Sequence, residues 1–158
     1  MNENIDINKI KSAFQLVNTS IVSLNVDNTF YDYNERDSGK RQIDVGFIVK
    51  ETAIEEETKQ HLGILDLKVH IVCHFDDDRH LDLNMILRGV FSAPVEMEED
   101  QFNIMLEQNG CASLYSVARG TIASITSQMF TCGCIIVPMV NFIKFHELIE
   151  ESEESTQE

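Results

Sequence analysis

Basic residues are scarce in this sequence, and their scarcity argues against one class of partner. Twelve Lys and Arg residues stand against 27 Asp and Glu residues, which gives a formal net charge of -15. A surface with this excess of negative charge repels a phosphate backbone over most of its area. We therefore expect no nucleic-acid partner.

Long apolar runs are also lacking. No stretch of the sequence approaches the ~20 apolar residues that a helix needs to cross a bilayer. The first residues, Met1 to Phe14, do not place an uninterrupted apolar segment behind a basic one, as a secretory signal does. We expect a cytoplasmic protein without membrane insertion.

Two further absences concern cysteine and glycine patterns. The cysteines are few and unevenly spaced, so a disulfide framework is not expected in a reducing compartment, and we predict free thiols. No glycine-rich phosphate loop occurs, so nothing indicates ATP binding, and we predict no cofactor. The cysteines are Cys73, Cys111, Cys132 and Cys134.

What is present fits one folded domain. The chain has 158 residues, of which 43% are hydrophobic and 25% charged, within the range of globular proteins. We predict a flexible N-terminus over residues 1–11 and a single domain over residues 12–150. The acidic tail over residues 151–158 is predicted to be disordered.

Alternating apolar and polar residues predict four strands, the first over Lys11 to Val26 with a bulge. A second strand runs through Ile43 to Val49, and Glu51 to Gln60 is predicted as an acidic connection. The last two strands form a hairpin over Leu65 to Phe75 and Leu81 to Leu87. One polar face on such strands indicates an antiparallel sheet that other elements cover on one side.

Helical spacing then predicts a long helix over Ser113 to Phe130, which Ser113 would cap and Gly133 would terminate. A C-terminal helix is predicted from Asn141 to Glu151, with its apolar side made by Phe142, Phe145, Leu148 and Ile149. The fold class is therefore α+β. Small residues recur on one flank of the long helix and are either a helix interface or an incidental polar face: Ser116, Gly120 and Ser124.

No catalytic site can be assembled from the sequence. A small metal-dependent enzyme would have to use His74, His80 and the run Asp76 to Asp78, but strand alternation separates neighbouring ligands there. Cys132 and Cys134 lack the two-residue gap of redox and zinc motifs, and a structural turn is the preferred interpretation. The histidines also lack a recognisable nucleophile partner. We predict no catalytic residue and no metal site.

Apolar side chains accumulate in two segments that look like connections. The first, between Asp27 and Arg41, contains Phe30, Tyr31 and Tyr33. The second precedes the long helix, where flexible Met and aromatic residues stand beside acids and either cap the core or line a promiscuous groove. The apolar residues of this second segment are Val90, Phe91, Pro94, Val95, Met97, Phe102, Ile104, Met105 and Leu106.

Several short matches, taken in order, resemble the SecB family of export chaperones. They are Phe14-Gln15-Leu16 to Leu24 in the first strand, Arg88-Gly89-Val90-Phe91-Ser92, Leu114-Tyr115-Ser116-Val117-Ala118-Arg119, and Val140-Asn141-Phe142. The resemblance spans about residues 12 to 150. It rests on the order and spacing of scattered matches and contains no diagnostic motif.

The resemblance implies a four-stranded antiparallel sheet packed by a long helix and a C-terminal helix, assembled as a homotetramer in which Ser116, Gly120 and Ser124 lie at helix contacts. It also implies an ATP-independent holdase that binds unfolded clients along apolar grooves. The client-binding residues would then be those of the two apolar segments. Burial of client surface, at roughly 25 cal/mol per Å², allows many weak contacts to hold a chain without sequence specificity.

Departures from the family concern delivery to the export pathway. The acidic positions that engage the translocation motor SecA correspond here to Ile21, Asn25 and Asn84, which carry no charge. The tail also lacks the basic and small residues that dock on this motor. SecB-like relatives also protect labile antitoxins, so a dedicated chaperone of a single partner is the first alternative, and the metal-dependent enzyme is the second.

Overall fold

The computed structural model describes residues 11–29, 40–74 and 79–154. Four strands form one sheet: β1 (Gln15–Asn28), β2 (Lys40–Glu55), β3 (Gln60–His74) and β4 (His80–Pro94). Their spatial order is β1-β4-β3-β2, and each neighbouring pair is antiparallel. Helices follow in sequence, so the predicted α+β fold is confirmed.

The alternation of the two central strands determines which face of the sheet is buried. Every second residue of β3 and β4 points to one face, here called the inner face, and helices cover it. The opposite face is called the outer face. The buried inner-face residues include Leu65, Leu67, Val69, Ile71, Cys73, Leu81, Leu83, Met85, Leu87, Phe91 and Ala93.

Strands β2, β3 and β4 extend beyond their predicted bounds, and β3 begins at Gln60 instead of Leu65. Residues 51–55, predicted as a connection, continue β2 beside β3 after a register shift between Val49 and Glu51, and only residues 56–59 turn. Likewise β4 continues past Leu87 to Pro94, between β1 and β3. Pairing with a neighbouring strand overrides the weak strand preference of glutamate, because strand propensity depends strongly on context.

The first strand contains two irregularities instead of one. Register shifts occur between Leu16 and Asn18 and again between Ile21 and Ser23. Each shift inserts one residue, so inner-face positions change parity along β1. As a result Ile21 pairs with Leu87 on the inner face, whereas Asn25 pairs with Asn84 on the outer face.

The long helix begins well before Ser113. Helix α1 (Glu99–Met105) continues through a π-helical segment (Leu106–Gly110) into α2 (Cys111–Met129). Ser113 is therefore inside the helix, and its predicted capping role is wrong. The wider i to i+5 turn accommodates one additional residue, so that Leu106 and Cys111 both lie buried against the sheet.

Two glycines of the inner face permit the helix to approach closely. A Cβ atom at Gly63 would lie 2.7 Å from Cδ2 of Leu106, and one at Gly89 would lie 2.7 Å from Cδ2 of Leu114. Real Cβ atoms do not tolerate this distance. The sheet therefore has glycine where the helix passes directly over it.

Residues 130–141, here called the strap, connect α2 to α3 without regular secondary structure. The helix ends because Phe130 is extended, and the predicted terminator Gly133 lies further along with a φ of 83°. Side chains hold four consecutive strap residues: Thr126 accepts from the amide of Ile135, and Arg41, Arg119 and Tyr115 donate to the carbonyls of Ile136, Val137 and Pro138.

Helix α3 (Phe142–Glu154) starts at a capping residue. The Oδ1 atom of Asn141 accepts hydrogen bonds from the amides of Ile143 and Lys144 at 3.1 and 3.2 Å. The helix continues through residues 151–154, which the sequence analysis assigned to the tail. Leu148, predicted on the apolar side, is 54% exposed, since Phe142 and His146 occupy the buried side.

None of the described helices has the length and apolar character needed to cross a membrane.

Candidate functional site

A cluster of aromatic rings closes the core where α1 meets the sheet. Phe14 stacks on Phe91 with ring centroids 5.2 Å apart, and Phe102 lies 5.9 Å from Phe14 and 5.1 Å from the His61 ring. Phe91, Phe102 and Leu106 are almost fully enclosed. These three residues of the predicted client-binding set are therefore core residues in this chain.

Other members of the predicted set are accessible. Ile104 on α1 is 56% exposed and Val95 is 36% exposed, while Met97 and Met105 are half-buried against the core. Pro94 is exposed at the end of β4. Together these residues place apolar surface along the start of the long helix.

Val90 pairs with Ile64 and Asn18 on the outer face, so it lies on the opposite side of the sheet from Phe91. The aromatic residues Phe30, Tyr31 and Tyr33 lie outside the described residues. The structure therefore brings the second apolar segment together only in part.

An open groove of about 250 Å³ runs between the end of β2 and α1. Its walls include Ile54, which is 51% exposed, and the edges of His61 and Phe102. The Nε2 atom of His61 donates to the carbonyl oxygen of Met97 at 2.8 Å, which fixes the turn that leads into α1. Ile54 is absent from the predicted site residues because the sequence predicts residues 51–55 as a connection.

A second depression, of about 410 Å³, lies beside the start of β1. It is lined by Leu16 and Val17 from β1 and by Pro94 and Gln60 from the ends of β4 and β3. Val17 is exposed there. Both depressions flank the same end of the sheet, and that end together with α1 is here called the α1 surface.

The outer face carries polar side chains at the opposite end of the sheet. His70 donates from Nε2 to Asp82 at 3.0 Å, and its Nδ1 lies 4.0 Å from Asp44. His80 donates from Nε2 to Asp27 at 3.1 Å and contacts Thr29.

Within the ranges 11–29, 40–74 and 79–154, no three His, Cys, Asp or Glu side chains converge to hold a metal ion. His74 and His80 pair directly across the hairpin, and Asp76 to Asp78 lie outside the described residues.

The four thiols divide into two classes. Burial raises the pKa of Cys111 to about 12, and the negative charge of Glu107 adds to this effect. Burial also raises the pKa of Cys73, although Arg41 opposes the shift. These two thiols stay protonated near neutral pH and are poor nucleophiles. Cys132 is exposed and Cys134 is half-buried, on either side of Gly133.

The small-residue flank of α2 faces solvent in the single chain. Ser116, Gly120 and Ser124 are all exposed, and a Cβ atom at Gly120 would have no neighbour within 4 Å. On the same side of the sheet, Ile21 and Leu24 of β1 are exposed although they point toward the helix layer. The assignment of Ser116, Gly120 and Ser124 as an oligomer contact remains a prediction.

Comparison with solved structures identifies the architecture. The chain superimposes on the SecB-like chaperone Rv1957 of Mycobacterium tuberculosis, which was solved in complex with a ChAD peptide from the antitoxin HigA1 (Rv1956). The TM-score is 0.56 at 10% identity, and the match covers 80% of this chain and 90% of that one.

The fold is SecB-like. A Streptococcus agalactiae protein of unknown function gives a lower TM-score of 0.44, also at 10% identity, over 80% of this chain and 97% of that one. No protein-family model and no curated protein sequence matches the chain. The assignment of the SecB-like fold therefore rests on the spatial arrangement of the helices and strands and not on sequence identity.

Proposed function

We propose that this chain is an ATP-independent holdase that binds non-native polypeptides through the α1 surface. The observation that carries the proposal is accessible apolar surface beside two open depressions, on a SecB-like fold. Each depression is large enough for one or a few side chains of a client. Repeated shallow contacts of this kind bind many sequences, because burial of apolar area is not directional.

Acidic side chains around the α1 surface fit this role. Glu98, Glu99 and Asp100 lie at the start of α1, beside Val95 and Ile104. The net charge of -15 keeps an apolar binding surface soluble and favours clients with basic flanking residues. The protein is proposed to act in the cytoplasm as a homotetramer, without a catalytic residue, metal or cofactor.

The proposal is tested by measuring aggregation of a chemically unfolded client protein without ATP. We expect the wild-type chain to suppress aggregation and a triple variant, Ile54→Ser, Val95→Ser and Ile104→Ser, to lose most of this protection. These three side chains are exposed, so their replacement spares the core. Phe102 is unsuitable for such a test because it is buried, and its replacement would destabilise the fold.

The control variant removes at least as much exposed apolar surface from another place. Ile136→Ser, Met139→Ser and Ile143→Ser lie on the strap and α3, and all three side chains are exposed. This control variant should protect as well as wild type. Equal loss in both variants would show that the α1 surface is not the binding site, and no protection by wild type would refute the holdase function.

A dedicated chaperone of one partner is the second candidate. It is favoured by the antitoxin peptide bound to the Mycobacterium tuberculosis protein of the same fold. A pulldown from native extract separates the two candidates: a general holdase should retain a broad mixture of polypeptides, whereas a dedicated chaperone should retain one partner in stoichiometric amount. Delivery to SecA is not proposed, because Asn25 and Asn84, which pair on the outer face, carry no charge.

A further inference from the structure

The outer face of the sheet is not uniformly polar. At the end away from His70 and Asp82 it carries aliphatic side chains, among them Ile48, which is 62% exposed, and Ile86. Ile64 and Val90 pair with each other in the same region. This apolar part of the outer face lies across the sheet from the helices and is separate from the α1 surface.

A depression of about 300 Å³ opens within this apolar region. It exists because Gly46 contributes no side chain, and a Cβ atom there would have nothing within 4 Å. Gly46 pairs with Lys68, and Lys68 pairs in turn with Ile86, so these residues form one row across three strands. Ile48 and Lys50 complete the rim.

Two ammonium groups at this depression have no partner within the described part of the chain. Lys50 and Lys68 are both exposed, and neither forms an ion pair or hydrogen bond there. The nearby carboxylate of Asp66 is already engaged, because Arg88 donates to its two oxygens from Nε at 2.7 Å and from Nη2 at 2.8 Å. A bidentate pair of this kind uses both carboxylate oxygens.

We propose that this depression, here called the Gly46 site, docks an extended segment of a second protein in which an aliphatic or aromatic side chain is flanked by carboxylates. The apolar side chain would enter above Gly46 and contact Ile48 and Ile86. The flanking carboxylates would pair with Lys50 and Lys68. In a chain with a net charge of -15, two unpaired cations beside an apolar depression are complementary to an acidic apolar ligand.

A polypeptide fits better than a small acid, because aliphatic side chains recur beyond the depression, where Ile64 and Val90 pair in the row that follows the Asp66–Arg88 ion pair. An extended segment places alternate side chains on one face and can follow such a row. The charge preference is opposite to that of the acidic α1 surface, so the two faces would select different partners. The Gly46 site therefore does not depend on the holdase proposal.

The test uses a fluorescein-labelled peptide in which Leu and Phe alternate with Glu, and measures its anisotropy with the full chain. Replacing both lysines, Lys50→Gln with Lys68→Gln, should weaken binding about three- to ten-fold, as expected for two exposed ion pairs. Filling the depression with Gly46→Leu should weaken it about ten-fold. The added side chain meets open space, so the fold should be retained.

Matched controls distinguish a site from general charge attraction. Lys40→Gln with Lys144→Gln changes the net charge equally, away from the depression, and should leave the affinity unchanged. A peptide with Lys in place of Glu should bind at least ten-fold more weakly. The Ile54, Val95 and Ile104 triple variant should bind the acidic peptide like wild type, since those residues belong to the α1 surface.

Any one of the following results with the peptide or with the chain alone would overturn the proposal. They are equal weakening by both lysine pairs, undiminished binding by Gly46→Leu, loss of binding in the α1-surface variant, and self-association of the chain that requires Lys50 and Lys68. Tighter binding of decanoate than of the peptide, abolished by Gly46→Leu, would instead assign the site to a small amphipathic acid and would also refute a docking site for a protein.

Discussion

Glycine positions under the long helix set how closely the helix approaches the sheet. At Gly89 an added Cβ would contact both Leu114 and Phe91 at 2.7 Å, and both partners are fully buried. Buried side chains have little room to move, so the additional methyl group must displace them or the helix. The close packing of helix and sheet at this point therefore depends on the absence of a side chain at one residue, Gly89.

We predict that Gly89→Ala lowers the free energy of unfolding by about 1–3 kcal/mol, the usual cost of overpacking a core. Urea denaturation followed by circular dichroism measures the change. Gly46→Ala is the control, because its Cβ meets nothing within 4 Å, and it should leave stability nearly unchanged. Equal stability of the two variants would contradict the close approach of helix and sheet.

The thiol of Cys111 links stability to pH. Its pKa rises from 9.0 to about 12 in the folded protein, mainly because burial disfavours the thiolate. The unfolded chain releases this proton first, so the stabilising contribution is complete below about pH 9 and is lost as the pH rises toward 12. The loss approaches ~1.4 kcal/mol per pH unit in this interval.

We therefore predict that the unfolding free energy of wild type falls more steeply between about pH 9 and 11 than that of Cys111→Ala. Chemical denaturation at a series of pH values gives the two slopes. Cys73 and Tyr115, whose pKa values burial also raises, contribute to both proteins equally. Parallel slopes would show that the thiol of Cys111 ionises as readily in the folded chain as in the unfolded one.

At the scale of elements, side chains hold the strap in place, because its backbone belongs to no helix or strand. Thr126 is buried, and its hydroxyl donates to the carbonyl of Ile122 at 2.7 Å, with a longer contact of 3.4 Å to the carbonyl of Ala123, and accepts from the amide of Ile135 at 2.9 Å. Ile135 is itself fully buried. Loss of the acceptor would therefore leave a buried amide without a partner.

Thr126→Val is predicted to lower the free energy of unfolding by about 1–3 kcal/mol and to speed hydrogen exchange at the Ile135 amide. Thr121→Val is the matched control, since Thr121 only donates within its own helix, to Val117. Denaturation and amide exchange should separate the two variants. Slow exchange of Ile135 in the Thr126 variant would mean that another group holds the strap.

At the scale of the whole molecule, one side of the sheet is incompletely covered by its own helices. Helix α2 contacts β3 and β4, while Ile21 and Leu24 on the inner face of β1 remain exposed. The exposed flank of Ser116, Gly120 and Ser124 lies on the same side of the sheet. Both features favour association with further copies, since small residues permit close approach of another helix.

Gly120→Arg is predicted to convert the expected homotetramer into smaller species without loss of helix content. Light scattering after size-exclusion chromatography gives the mass, and circular dichroism gives the helix content. Gln101→Arg adds the same charge on the exposed side of α1 and should leave the assembly intact. A wild-type monomer, or a tetramer that tolerates Gly120→Arg, would contradict the predicted contact.

Local patterns in the sequence determined much of the architecture. Strict alternation in Leu65 to Cys73 and in Leu81 to Leu87 identified the buried face of the central hairpin, because a side-chain period of two assigns each residue to a face. Helix α2, the start of α3 near Asn141 and the α+β class follow from similarly local signals. The resemblance to SecB proteins agrees with the SecB-like fold.

Tertiary structure alone decided which apolar residues are accessible. The sequence placed Phe91, Phe102, Ile104 and Leu106 in one apolar segment, but strand pairing and the early helix start bury three of them and expose Ile104. Val90 and the depression at Gly46 lie on the other face of the sheet. Accessibility depends on which distant element packs over a residue, and no local pattern encodes that contact.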